Sequence, residues 1–292
     1  MSAAITASTT STEVNYQHVF HAGNFADVFK HALLAELLSR LCEKPRPISY
    51  VETHAGAGFY RLDSAPARRS GEAESGIGRL SGYRPAHPSL ARFVALVAAL
   101  PENAEVLCAY PGSPLVAAGL TREDDRLQLA ELAPEPAEAL DRLFRHDPRV
   151  AVHRRDGYEA VKGLLPPTPR AGVLFVDPPY EAPDDFRRVV EALGLARARW
   201  PEGVLVAWYP IKDRRALAGF YRDVAGVGGE PVLRAELSVR PDDNSAGLNG
   251  SGMVVLNPPW GLEARWRPLV AELARVLGER GTVRASVDLL GP

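Results

Sequence analysis

From about residue 104 onward, short apolar runs take turns with helix-length segments, and this alternation confines the chain to a small set of architectures. AEVLCAY (104–110), DRLQLAEL (125–132), RVAVHR (149–154), GVLFVD (172–177), GVLVAWY (203–209), VLRAELSV (232–239) and GMVVLN (252–257) have the length and branched apolar content of strands. EPAEALDRLFR (135–145) and DFRRVVEALGLAR (185–197) lie between them with apolar residues at helical spacing. Strands separated by helices pair in parallel and are covered on both faces. The last two strands are joined by RPDDNSAGLNGSG (240–252), too polar and glycine-rich for a crossover helix. An antiparallel hairpin is expected there. The expected fold is therefore α/β, with a mostly parallel sheet and a C-terminal antiparallel hairpin.

The first third of the chain has a different texture. Residues 1–13, MSAAITASTTSTE, are small and hydroxylated and read as a disordered leader rather than a secretory signal. NFADVFKHALLAELLSRL (24–41) reads as a helix with Asn24 at its N-cap and Asp27 three residues on. PISYVETHAGAG (47–58) reads as a strand running into a glycine turn, and about 60–103 as a small, mostly helical insertion. Residues 14–292 thus form one domain with an insertion, which suits a chain of 292 residues. A formal charge of −2 excludes a uniformly basic coat but not a local basic patch. Cys42 and Cys108 are the only cysteines, too few for a disulfide framework or a thiolate zinc site. His18, His21 and His31 lack carboxylate or thiolate partners at ligand spacing, so no metal is expected. No run approaches the roughly 20 apolar residues that span a bilayer. A cytoplasmic monomer with no membrane partner is expected.

Two stretches carry chemistry and look almost alike: VLFVDPPYE (173–181) and VVLNPPWG (254–261). An exocyclic adenine amine is a poor nucleophile because its lone pair is delocalised into the ring. Asp177 and the carbonyl of Pro178 could each accept one of its N–H bonds, with the rigid Pro-Pro turn fixing both acceptors. Tyr180 could stack on a base extruded from its helix. The bland reading is a strand that ends in a proline turn.

Strand order chooses between the copies. Gly56 and Gly58 follow a strand, where a bare backbone lets a ligand approach closely. Glu131, Asp156 and Asp177 then follow at steps of 25 and 21 residues, each about one strand–helix unit. Glu131 suits the hydroxyls of a ribose and Asp156, before Gly157, the amino group of an adenine. The third glycine of a dinucleotide fingerprint is missing, which favours S-adenosyl-L-methionine over NAD. Asp177–Tyr180 is the expected reaction site. Asn257–Trp260 is expected to be a structural strand end that borders the target-base pocket.

The order of motifs NYQHVFHAGNFADVFKH, ETHAGAGFYRL, YPGSP, LQLAEL, RDGYEAVKGLLPP, VLFVDPPYE, WYPIK, ELSVRPD and SGMVVLNPPW resembles the bacterial 23S rRNA (adenine-N6)-methyltransferases of the RlmJ type, from Asn15 to the C-terminus. The resemblance implies a Rossmann-like methyltransferase fold with a helical insertion and S-adenosyl-L-methionine as donor. It implies cofactor contacts at His31, His54, Ser113, Glu131, Asp156 and Gly157, and catalysis at Asp177. Tyr16 matches a residue linked to rRNA handling, and Lys30, beside His31, acts near the same pocket. Taken without the family, His31 would be a packed helix histidine and Ser113 a helix cap. One departure is visible: LAP follows Glu131 where the family carries a histidine. Two rivals share parts of the pattern, a DNA adenine-N6 methyltransferase and a non-catalytic RNA-binding module on a degenerate fold.

Overall fold

The computed structural model describes residues 18–228, 231–241, 244, 247–278 and 282–291. Tyr16 and the leader of residues 1–13 lie outside the described residues. In chain order the strands are β1 (Ser49–Glu52), β2 (Phe59–Arg61), β3 (Ala109–Pro111), β4 (Arg126–Glu131), β5 (Val150–Arg154), β6 (Gly172–Val176), β7 (Val204–Ile211), β8 (Val232–Ser238), β9 (Gly250–Leu256) and β10 (Arg284–Leu290). The helices are α1 (Phe25–Cys42), α2 (Ala65–Ser70), α3 (Glu72–Ser75), α4 (Pro88–Ala98), α5 (Ser113–Leu120), α6 (Pro134–Phe144), α7 (Gly157–Leu164), α8 (Asp185–Arg199), α9 (Leu217–Gly226) and α10 (Leu262–Leu277).

Eight of these strands form one sheet in the order β10-β8-β9-β7-β6-β1-β4-β5. Strands β5, β4, β1, β6 and β7 are parallel neighbours, while β9 pairs antiparallel with both β7 and β8. The sheet is thus mostly parallel with antiparallel strands at its C-terminal side, as the alternation implied. The chain steps from β1 outward to β4 and β5, then returns to the other side of β1 for β6 and β7. That reversal opens a crevice at the carboxyl ends of β1 and β6, where ligands of such sheets bind.

Burial explains why these segments took strand and helix form. Every residue of β6 is buried, as befits a central strand covered on both faces. Helices α1, α4, α5, α6 and α10 pack on one face, and α7, α8 and α9 on the other. Helix α1 is buried without a break from Phe25 to Leu38, because α4, α5 and α10 pack around it. Its polar residues Asp27, Lys30, His31 and Glu36 are therefore forced into the interior.

Two elements differ from the sequence expectation. AEVLCAY does not join the main sheet; only Ala109–Pro111 is strand, and it pairs with β2 in a separate two-stranded ladder. The Asn103 side chain explains this, since its amide oxygen accepts from the N–H groups of Cys108 and Ala109 and frees them from any ladder. Phe59↔Pro111 pairing also brings both ends of the α2–α4 excursion to one place. The second difference is β10, an edge strand that the sequence reading passed over. Only Val287 among its residues is buried, so RASVDLL carries little apolar signal.

Candidate active site

Asp177 is the first residue after β6, and the N-terminal turns of α1 bring a cation to it. Asn24 caps α1 by accepting from the N–H groups of Ala26 and Asp27. This fixes the register that places Lys30 Nζ 2.7 Å from Asp177 Oδ2 and 3.0 Å from Asp27 Oδ1. His18 Nε2 lies 3.0 Å from Asp27 Oδ2 and extends the chain of charge. Burial raises the Asp177 carboxyl above its ordinary value, and the Lys30 charge opposes that. Burial acts the same way on Asp27, but the charges of His18 and Lys30 outweigh it and hold Asp27 well below the carboxylate range.

The Pro-Pro turn ends in strain. Tyr180 has φ of 53°, in the left-handed region that a bulky residue adopts only when its surroundings require it. Its hydroxyl donates to the carbonyl of Trp208 at 2.5 Å, and its ring sits 4.7 Å from Phe186 and 5.7 Å from Trp208. Trp208 in turn lies 5.3 Å beneath Lys30 Nζ and donates its indole N–H to Ser251 Oγ. Asp177, Lys30, Tyr180 and Trp208 therefore meet at one corner.

On the other side of the crevice the strand ends of β1, β4 and β5 line up. The N–H of Gly56, at φ of 61°, donates to Glu131 Oε2 at 2.7 Å, and Ala133 N–H donates to Oε1. Asp156 caps α7 by accepting from Tyr158 and Glu159, while its other oxygen faces Arg188 at 3.2 Å. Gly157 is pressed on the end of β1, where a Cβ would come 2.0 Å from the carbonyl of Thr53. His54 Nδ1 meets Thr53 Oγ1 at 2.7 Å and its ring stands edge-on to Tyr158; burial lowers its pKa to about 4.

Between the two sides lie two buried polar groups. His31 is 1% exposed; its Nδ1 is 2.8 Å from the Tyr110 hydroxyl, and its Nε2 has no hydrogen-bond partner. Burial lowers its pKa to about 3, so the ring is neutral. Ser113 does not cap α5; Gly112 holds the cap position, and the Ser113 hydroxyl donates to Glu52 Oε1 at 2.5 Å. Tyr50 donates to the other oxygen of Glu52, and burial raises this carboxyl to about 8.

Thus Asp177, Lys30, His31, His54, Gly56, Ser113, Glu131, Asp156 and Gly157 all stand at the carboxyl ends of the parallel strands or on helix starts facing them. Asn257–Trp260 does not. Strand β9 runs antiparallel to β7, so Asn257 sits at the opposite end of the sheet and donates to the carbonyls of Glu202 and Gly203 before β7. It does not border the target-base pocket, because the strand it terminates points the other way. The turns also differ in conformation: Tyr180 is left-handed in one, Asn257 in the other. Trp260 is 89% exposed. A cavity of about 570 Å³ lined by Glu36, His87, Arg92 and Arg265 lies near the far end of α1. Its charges answer one another, Arg265 pairing with Glu36 at 3.1 Å.

The sequence gives no site role to Glu52, Tyr110 or Trp208, and Asp27 only a place in the first turn of the helix that Asn24 caps. Glu52 and Tyr110 stood inside quoted motifs, but an acid within a strand and a tyrosine before Pro-Gly carry no local signal of burial. Among the described residues no three His, Cys, Asp or Glu side chains gather as a metal site, and no helix is long and apolar enough to cross a membrane.

A family model described as Ribosomal RNA large subunit methyltransferase D, RlmJ, matches residues 45–289. The chain belongs to this family. Relatives named Ribosomal RNA large subunit methyltransferase J from Haemophilus influenzae and Escherichia coli are each 38% identical over 279 residues, covering 96% of this chain and 99% of theirs. A crystal structure of a Legionella pneumophila protein superposes with a TM-score of 0.84 at 31% identity, over 92% of this chain and 98% of that one. The resemblance read from the motifs is thereby shown, and with it the methyltransferase class. In this methyltransferase the Asp177 corner and the Gly56–Glu131–Asp156 crevice lie on adjoining strand ends.

Proposed function

We propose that this methyltransferase moves the methyl group of S-adenosylmethionine to the N6 amino group of an adenine in 23S rRNA. The observation that carries the reading is Asp177, held after the central strand β6 by a Pro-Pro turn and paired with Lys30 at 2.7 Å. The names of the relatives support the substrate class.

The crevice fits the donor. His31 offers a buried ring nitrogen without a partner, and Gly56 gives close backbone approach. Glu131 would hold the ribose, Asp156 and Gly157 the adenine, and His31, His54 and Ser113 the amino-acid end. When bound, S-adenosylmethionine supplies an electrophilic methyl group on a sulfonium. The protein's part lies in what it does to the acceptor. Asp177 accepts one amine N–H and the Pro178 carbonyl a second, which frees the nitrogen lone pair for attack. Lys30, shared between Asp177 and Asp27, favours the ionised form of Asp177 against its burial. Methyl transfer exchanges the donor's sulfur–carbon bond for a nitrogen–carbon bond and leaves S-adenosylhomocysteine; Asp177 would take the amine proton so released and pass it to water. Tyr180 and Trp208 form the aromatic wall for the extruded base; a part in rRNA handling is assigned to Tyr16 from its motif alone.

Residues 14–292 act as one catalytic domain, with the insertion of about 60–103 tied to the N-terminal motif where Glu72 accepts from Asn24 and meets His21. The test is methyl transfer from labelled S-adenosylmethionine to protein-free 23S rRNA and, in parallel, to duplex DNA. Label in N6-methyladenosine of the rRNA is expected; label in DNA alone would refute the rRNA assignment.

A further inference from the structure

The buried pair His31–Tyr110 has a consequence for how the donor's amino-acid end is read. Helix α1 carries His31 into the interior, and β3 carries Tyr110 against it, with the rings stacked 5.5 Å apart. Both residues are buried, His31 at 1% exposure and Tyr110 at 0%. A neutral imidazole bears one proton, on Nδ1 or on Nε2, and the partner of one nitrogen decides the role of the other. The partner of Nδ1 is the Tyr110 hydroxyl at 2.8 Å, which makes no other hydrogen bond among the described residues. Burial raises the pKa of that hydroxyl well above its ordinary value, so it retains its proton. A buried hydroxyl with one neighbour of this kind donates to it.

We propose that Tyr110 is a positioning residue: by donating to His31 Nδ1 it places the imidazole proton on Nε2, and so makes His31 a hydrogen-bond donor aimed at a carboxylate. In the alternative tautomer Nδ1–H would donate to the Tyr110 oxygen, leaving the buried Tyr110 O–H without an acceptor and a bare lone pair where Nε2 is buried. A lone pair there would repel a carboxylate. A donor there prefers one, and a charge-assisted bond of this kind is among the stronger ones a neutral group can make. The selected ligand end is thus the α-carboxylate of an adenosyl amino acid. This rests on the donor reading above and adds to it a discrimination against adenosyl compounds that lack the amino-acid tail.

Two measurements test this. The first is nitrogen NMR of the histidine rings in the ligand-free wild-type protein. His31 should show a proton-bearing Nε2 and a bare Nδ1; the reverse pattern would overturn the role, whatever any variant does. The second is calorimetry of wild type and Tyr110→Phe with S-adenosylhomocysteine and with 5′-methylthioadenosine, which lacks the amino-acid tail. Removing the hydroxyl should weaken S-adenosylhomocysteine about tenfold and 5′-methylthioadenosine by less than about twofold. Equal loss for both ligands, or no loss for either, would reject Tyr110 as the group that sets the carboxylate contact. If the wild-type protein bound neither ligand, the donor reading itself would fall and take this role with it.

Discussion

At the scale of single residues, Asp177 and Asn257 show what local pattern can and cannot decide. Both end a branched apolar strand and both precede Pro-Pro and an aromatic. Their difference is in their surroundings: Asp177 is 10% exposed beside Lys30, while Asn257 holds two backbone carbonyls at the other end of the sheet. Asp177→Asn keeps an acceptor but loses the basic oxygen, so the methylation rate should fall at least ~100-fold with donor affinity unchanged. Asn257→Ala should lower the rate less than about twofold, although it removes a strained turn's anchors and will cost some stability. A rate loss larger for Asn257 than for Asp177 would reverse the assignment. Asp177, Glu131 and Asp156 were legible in the sequence because acids at strand ends recur at strand–helix spacing. Glu52 and Tyr110 were not, since their roles arise only when β1, β3 and α1 converge on one buried point.

At the scale of elements, the site depends on how closely the start of α7 can approach the end of β1. Gly157 makes that approach possible, and a Cβ there would collide with the Thr53 carbonyl at 2.0 Å. The colliding atoms are Thr53 backbone, with the His54 ring 3.0 Å away, so Gly157→Ala must push the two elements apart. The expected cost is about 1–3 kcal/mol of stability together with weaker donor binding, checked by denaturant unfolding and calorimetry. Unchanged binding in this variant would show that the crevice is looser than its geometry implies. The helical segment 24–41 could be read from its cap and spacing, and α1 spans Phe25–Cys42. What could not be read was its depth, because fourteen successive buried positions leave no polar face to mark the buried side. Likewise β10 escaped notice as an edge strand whose charges are used in pairing, Arg234 meeting Asp288 at 2.9 Å.

At the scale of the whole molecule, the parallel sheet and its antiparallel side were legible from alternation alone, and the crevice followed from the strand order. The same burial that builds the crevice shapes stability against pH. Glu52 titrates near 8 in the folded chain against an ordinary 4.5, so between those values the unfolded chain has released a proton that the folded one keeps. Stability therefore falls as pH rises through that window. His31 and His54, lowered to about 3 and about 4 from 6.5, act in the opposite sense and cost stability as pH falls below 6.5. Above pH 6.5 these histidines add nothing, so Glu52→Gln should flatten the decline of the unfolding free energy between pH 6.5 and 8. An unaltered slope would mean that Glu52 is ionised in the folded protein.

The central claim concerns one amino group on one RNA. It is tested most directly by mapping N6-methyladenine in 23S rRNA from cells that lack this gene and carry either the wild-type chain or Asp177→Ala. One methylated adenine should be present with the wild type and absent with the variant. Methylation that persists with the variant, or a 23S rRNA identical in both strains, would contradict the account.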